Sequence, residues 1–251
     1  MFANLKRMKK LFLYPISVIY YLLFLVVLLI FHPIQWVCFN VFGYQAHKNS
    51  VDIMTFFLLK CSHVLGTWYT FGNRELIPKN VPLIFVSNHQ SLFDTTALIR
   101  YLRKFHCGFV TKKELGKGIP SVSYNVRNGS SVLIDRNNPK QAIPLIKSLA
   151  EYAEKHSRSA VIFPEGTRSK TGHPGKFAES GLKILCKYAP SAYIVPISIN
   201  NSWKVFQYGA FPLSFGHHLI FTVHESLKVS DYTFAEIMEK TENAIVQGIK
   251  V

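Results

Sequence analysis

The chain has 251 residues, 49% hydrophobic and 17% charged, with 29 Lys and Arg against 14 Asp and Glu for a net charge of +15. High apolar content without low-complexity tracts excludes a disordered chain, and the basic excess points to nucleic acid, anionic lipid or a phosphorylated cofactor as partner. Four scattered cysteines (Cys38, Cys61, Cys107, Cys186) form no CxxC pair, which argues against a disulfide framework or zinc site and fits a reducing, cytosol-facing protein.

Residues 1–50 carry Lys6, Arg7, Lys9, Lys10 and Lys48 and no acidic residue, and from Leu11 to His47 there is no charge at all. Leu11 to Phe31 is almost wholly apolar, and about 20 such residues make a helix long enough to cross a bilayer's hydrocarbon core. The stretch exceeds a signal peptide's apolar region, contains tyrosines and lacks a small-x-small cleavage site. A retained membrane segment is therefore expected. The basic N-terminus should stay cytoplasmic, so one full crossing would place the rest outside. A second apolar segment, Met54 to Tyr69, offers two alternatives. It returns through the membrane after a bend at Pro33 or Gly43, or it packs on the soluble part as an amphipathic helix. Trp36, Tyr44, Trp68 and Tyr69 suit the headgroup level. The composition divides the chain into a membrane helical region, residues 1–69, and an α/β domain, residues 70–251.

From Thr70 onward, apolar runs at 83–87, 107–111, 131–134, 160–164 and 192–199 read as buried strands, and 219–225 as an alternating one. Helical patterns cover Thr95–Lys104, Pro139–Lys155, Ala178–Lys187 and Tyr232–Lys250. This alternation predicts an α/β fold, a mixed, largely parallel sheet flanked by helices, with chemistry gathered on loops beyond the strand ends.

The candidate residues lie on those loops. Asn88-His89-Gln90-Ser91-Leu92-Phe93-Asp94 follows the first strand. Positions five apart differ by about 140° on a helix, so His89 and Asp94 meet only if His89 sits in the turn and Asp94 in the first helical turn. A carboxylate on one imidazole nitrogen fixes the tautomer and makes the other a better base. The bland alternative is a capping Asp with an incidental His. Phe163-Pro164-Glu165-Gly166-Thr167-Arg168-Ser169 follows another strand: Gly166 permits an unusual turn and Arg168 offers a planar fork suited to phosphate. Its bland alternative is a polar turn in which Glu165 and Arg168 pair. Asp135 and Arg136 end a third strand, and Pro196 within an apolar strand suggests an edge or a bulge.

NHxxxxD, then a glycine-to-IDR segment, then FPEGTRS, then VPI, in this order, resembles the glycerolipid acyltransferases, most closely the bacterial 1-acyl-sn-glycerol-3-phosphate (lysophosphatidate) acyltransferases. The likeness covers roughly residues 71–199; GSSVL before Ile134 departs from the bulkier strand usual there. The resemblance implies a glycerol-3-phosphate acyltransferase-like fold. It also implies transfer of a fatty acyl group from acyl-CoA or an acyl-carrier protein to the sn-2 hydroxyl of lysophosphatidate, giving phosphatidate, with no cofactor. His89 is then the general base and Asp94 its orienter; Arg168 holds the acceptor phosphate, with Arg136 and Lys112 as further cations. Glu165, Gly166 and Thr167 shape the acceptor loop, and backbone amides near Gly166 or Asn88 are candidate oxyanion donors. Membrane lipids become the expected partners, and the catalytic domain is expected on the cytoplasmic face of the inner membrane. The runner-up acceptor is another lyso-lipid.

Other classes explain less. Nucleic-acid binding would account for the charge but not for the apolar N-terminus or the motifs. A scaffold would leave His89, Asp94 and Arg168 without a purpose, and a serine hydrolase would need a GxSxG elbow, which is absent. His217, His218 and His224 lack the carboxylate or cysteine spacing of a metal site, so no metal is expected.

Overall fold

The computed structural model describes residues 2–250, with side chains described from residue 11 onward. The uncharged N-terminal stretch forms one helix, α1 (Phe2–Phe42), which continues through both Pro15 and Pro33. The chain reverses at Gly43, whose φ of 80° is open to glycine without steric cost. Helix α2 (Tyr44–Ser62) then runs back along α1, with Phe39 against His47 and Phe31 against Phe57. Of the two expected bends, only Gly43 is used.

The segment expected over Met54–Tyr69 divides. Its first part ends α2, which buries Val51, Met54, Leu58 and Leu59 and exposes Ile53, Phe56 and Phe57. Its last residues open strand β1 (Trp68–Gly72), which straddles the compositional boundary at residue 70. The segment is thus packed on the domain. Among the described residues, Leu11–Phe42 alone is long and apolar enough to cross a membrane, with a mean hydropathy of 2.5.

The remaining strands are β2 (Leu83–Ser87), β3 (Cys107–Lys112), β4 (Val132–Ile134), β5 (Ser159–Ile162), β6 (Tyr193–Asn200), β7 (His218–Val223) and β8 (Leu227–Lys228). They form one sheet in the order β1-β7-β6-β2-β5-β3-β4, with β8 on β6. β7 and β8 run antiparallel to β6, and every other pairing is parallel. The helices are α3 (Leu92–Tyr101), α4 (Val122–Asn128), α5 (Pro139–His156), α6 (Glu179–Tyr188) and α7 (Phe234–Gln247). Strand β2 shows why its sequence lacks alternation: Leu83 and Phe85 join a core with Phe93, Leu98, Tyr20 and Leu59 on one face. Ile84 and Val86 join Leu149, Leu182 and Ile245 on the other. A strand covered on both faces reads as a continuous apolar run.

Pro196 lies in a central strand and not at an edge, but at a one-residue register shift, where residues 195–196 of β6 face residues 224–226, so of the two expectations the bulge holds. His224 donates to the Pro196 carbonyl at 2.9 Å, so this residue's backbone edge faces β7 and β8. It falls between the pairing of Tyr193 and Ile194 with β8 and that of Ile197 onward with β7. The missing N–H forgoes only the reciprocal bond to His224, at the point where the pairing already breaks.

Candidate active site

The parallel strands β2, β5, β3 and β4 lie side by side and end on the same edge, so the loops after them converge. After β2, the Asn88 carboxamide bonds both the N–H and the C=O of Ile199, at 2.7 and 2.9 Å. The chain then turns into α3. Ser91 caps that helix, accepting from Phe93 N at 3.2 Å, and Asp94 completes the capping box.

Asp94 is fully buried and has two separately occupied oxygens. Oδ2 lies 2.9 Å from His89 Nδ1 and accepts from the N–H groups of Gln90 and Ser91 at 2.7 and 2.8 Å. Oδ1 accepts from the hydroxyls of Ser91 and Ser202 at 3.3 and 2.5 Å. Asp94 is thus a capping residue and the partner of His89 at once; the bland and functional readings of the motif describe one side chain. The His89 side chain retains 16% exposure and its ring stacks on Phe163, with centroids 4.1 Å apart. An imidazole that gives its Nδ1 proton to a carboxylate keeps its lone pair on Nε2, where it can receive a proton.

The loop after β5 holds the backbone of His89 from both sides. Glu165 Oε1 accepts from His89 N at 2.7 Å, and Ser169 N donates to His89 O at 2.8 Å. Glu165 Oε2 accepts from Gly175 N at 2.6 Å. Burial raises the Glu165 pKa against these two N–H donors. Gly166, at φ 66°, closes the turn through its N–H to the Phe163 carbonyl. Glu165 therefore serves His89, and the alternative pairing with Arg168 is not formed among the described residues. Arg168 and Thr167 are exposed, and no ion pair involves Arg168 among the described residues.

The other expected cations arrive from the neighbouring strands. Arg136 lies over the loop, its Nη1 3.7 Å from where a methyl on Gly166 would stand. Its neighbour Asp135 pairs with Lys113 at 2.5 Å. Lys112 ends β3 opposite Ile134 of β4, exposed. Beside the dyad opens a cleft of about 990 Å³ lined by Thr167, Arg168, Ser169, Lys170, Trp203 and Phe206 among others. Phe206 also borders an apolar cavity of about 530 Å³ between α1, α2 and α3, lined by Tyr20, Phe24, Leu58 and Phe93. Lys112 lines neither. Of the backbone amides expected to receive an oxyanion, that of Gly166 is bonded to the Phe163 carbonyl.

Sequence reasoning missed Gln90 and Ser202. Gln90 Nε2 donates to the Gly172 carbonyl at 2.9 Å and its Oε1 accepts from Ser202 N at 3.1 Å. Ser202 stands 108 residues from Asp94, so no short motif signals it. His217, His218 and His224 each bond a hydroxyl, of Ser214, Thr70 and Ser198, and no metal-binding cluster occurs among the described residues.

The site is thus a His–Asp dyad at a parallel strand exit, with a cationic cleft and an apolar cavity beside it. The Acyltransferase family profile matches residues 69–200, and the chain belongs to that family. A 1-acyl-sn-glycerol-3-phosphate acyltransferase of Helicobacter pylori is 36% identical over 126 residues, 49% of this chain and 50% of the relative. One of Cocos nucifera is 35% identical over 142 residues, 56% and 45% of the two chains. The chain thus matches about half the length of these curated relatives. The crystal structure of the 1-acyl-sn-glycerophosphate acyltransferase PlsC of Thermotoga maritima superposes with a TM-score of 0.77, covering 96% of this chain and 95% of that one at 19% identity. That likeness establishes the fold.

Proposed function

We propose that the protein transfers a fatty acyl group from an acyl thioester to the sn-2 hydroxyl of lysophosphatidate, forming phosphatidate. The observation that carries this reading is the buried Asp94 holding His89 next to a cationic cleft that Gln90 and Ser91 line; relatives named for that acceptor support it. His89 Nε2 takes the proton from the acceptor hydroxyl as its oxygen attacks the thioester carbonyl. Asp94 stabilises the imidazolium that results. Collapse of the tetrahedral intermediate forms the ester, breaks the C–S bond and returns the proton from His89 to the departing thiolate. A thioester is already activated, so no enzyme nucleophile is required.

Arg168, unpaired in the cleft wall among the described residues, receives the acceptor phosphate, with Arg136 behind the loop. In this reading the apolar cavity that Phe206 borders takes the start of a hydrocarbon chain. The donor thioester belongs to acyl-CoA or an acyl-carrier protein.

The membrane reading follows from the contacts of α1. The domain touches α1 along its length: Tyr21 donates to the Ala210 carbonyl, Ser121 to that of Leu28, and Asn40 to the Tyr124 hydroxyl. From Tyr21 to Asn40 a helix rises roughly 28 Å, about the whole hydrocarbon thickness. Crossing upright would drag the charged domain into the bilayer. The helix therefore lies along the membrane, with Leu22, Leu25, Leu29 and Trp36 exposed toward lipid, and the catalytic edge works on the cytoplasmic surface.

The test is acyl transfer by purified protein, using a labelled acyl thioester and a panel of lyso-acceptors. Lysophosphatidate should be the best substrate. Preference for a lyso-lipid without a phosphate monoester would replace it by the runner-up acceptor, and no transfer to any would remove the activity.

A further inference from the structure

A further cavity lies between the first turns of α2, the start of β3 and the connection from α4 to β4. It opens beside Cys107, the first residue of β3, and so at the opposite edge of the sheet from His89. Nothing in the acyl-transfer chemistry uses it.

Two cations, Lys48 and Arg103, line it together with one carboxylate, Asp52, already ion-paired with Lys48, and with His47 and His106, whose imidazoles burial shifts toward the neutral form. Arg158 stands behind Tyr44, its guanidinium 4.6 Å from the ring centre. The Tyr44 hydroxyl in turn bonds His106 Nδ1 at 3.2 Å and Ser130 Oγ at 3.1 Å. Two lining cations thus face one carboxylate, with Arg158 behind the Tyr44 ring.

Two residues carry costs that a ligand would explain. His47 is 1% exposed, its ring between those of Phe39 and Tyr124, and its Nε2 has no partner among the described residues. A buried polar atom without a partner is unfavourable, and native proteins keep few of them. His106 adopts φ 50°, an uncommon conformation for a residue with a side chain, of the kind concentrated at binding sites. That backbone brings its ring over Tyr44 at the cavity wall.

We infer that this cavity binds a phosphate group, either inorganic phosphate or the phosphate of a lipid headgroup, between Lys48, Arg103, His47 and His106. A phosphate oxygen supplies an acceptor for His47 Nε2, and the remaining oxygens take charge-assisted bonds from Arg103 and Lys48. A cation is the wrong occupant, because the single carboxylate is neutralised by Lys48. Lipid is within reach: Val41 and Phe42, the last exposed apolar residues of α1, directly precede the hairpin that leads into Tyr44. The site stands independently of acyl transfer.

The test uses the full-length protein in a phosphate-free, sugar-headgroup detergent. The imidazole NMR signals of His47 and His106 are followed during titration with inorganic phosphate and, separately, with short-chain phosphatidate. Both signals should shift and saturate with at least one of the two ligands. Arg103→Gln should weaken that binding about tenfold or more. His106→Asn, which tolerates the left-handed backbone, should do the same without lowering Tm. Saturation by inorganic phosphate identifies a free-anion site; saturation by phosphatidate alone identifies a headgroup site. Unmoved imidazole signals with both ligands, or equal affinity in both variants, would overturn the inference.

Discussion

Replacing Asp94 separates its structural work from its chemical work. In Asp94→Ala, the hydroxyls of Ser91 and Ser202 can turn to other acceptors, and Gln90 Oε1 already lies 3.4 Å from Ser202 Oγ. The backbone N–H groups of Gln90 and Ser91 cannot turn, since both point at the vanished Oδ2. Each stranded buried donor costs roughly 1–3 kcal/mol, about 2–6 kcal/mol for the pair. In a chain of this size about 1 kcal/mol moves Tm by roughly 2–4 °C, so a drop of about 4–24 °C is expected. Asp94→Asn behaves differently. Its carboxamide oxygen occupies the Oδ2 position and keeps all three N–H donors, while its NH₂ meets two hydroxyls that rotate to accept. That variant should remain folded, with Tm within a few degrees of the parent. It loses the charge that stabilises the imidazolium, and turnover should fall about 10²–10⁴-fold. Thermal unfolding in detergent and initial acyl-transfer rates measure both effects. An unchanged Tm in Asp94→Ala would refute the hydrogen-bond network, and normal turnover in Asp94→Asn would refute the need for the charge.

Ser202→Ala removes a donor that holds Asp94 Oδ1 in place, so kcat should fall with the KM of both substrates unchanged, and Ser202→Thr, which keeps the hydroxyl, should restore it; equal loss in both variants would mean that Ser202 acts in packing alone. Arg168→Lys should raise the KM for lysophosphatidate selectively, because an ammonium cannot reproduce a bidentate fork; a rise confined to the thioester's KM would assign Arg168 to the donor. Burial raises the pKa of Glu165, so the stability that favours its protonated form is present below the ordinary carboxyl value and is lost as pH rises through the folded value. Unfolding of Glu165→Gln across that window should therefore shift in the variant's favour as pH rises, and a constant difference would contradict it. Changing the exposed Leu22, Leu25 and Leu29 together to Gln should release the protein from neutral vesicles. Three leucines taken out of water contribute roughly 5 kcal/mol or more, so co-sedimentation should fall at least about 100-fold, and unchanged sedimentation would place the anchor elsewhere.

The strands were legible wherever burial on both faces made an apolar run, as at 83–87, where the expected and observed limits coincide. Strand β1 was not, because it lies at the sheet edge with Phe71 its single buried residue and continues an apolar helix without a break in composition. The short helix α4 left no periodic signal. In the site, the His89–Asp94 relation could be derived because both residues flank one turn. The partner of Glu165 could not: the carboxylate ignores nearby Arg168 and reaches a backbone N–H 76 residues away. Ser202 was equally invisible, since only the sheet order brings the end of β6 beside β2. The N-terminal residues proved part of the fold, with Tyr20 in the main core, which is why the membrane test above alters the outer stripe of α1 and leaves the helix in place.

The central claim is that His89 takes the acceptor's proton. It is tested most directly by steady-state acyl transfer to lysophosphatidate with His89→Ala, checked for wild-type Tm and membrane association. The account predicts a loss of about 10²–10⁴ in kcat; turnover within a few-fold of the parent in that folded variant would contradict it.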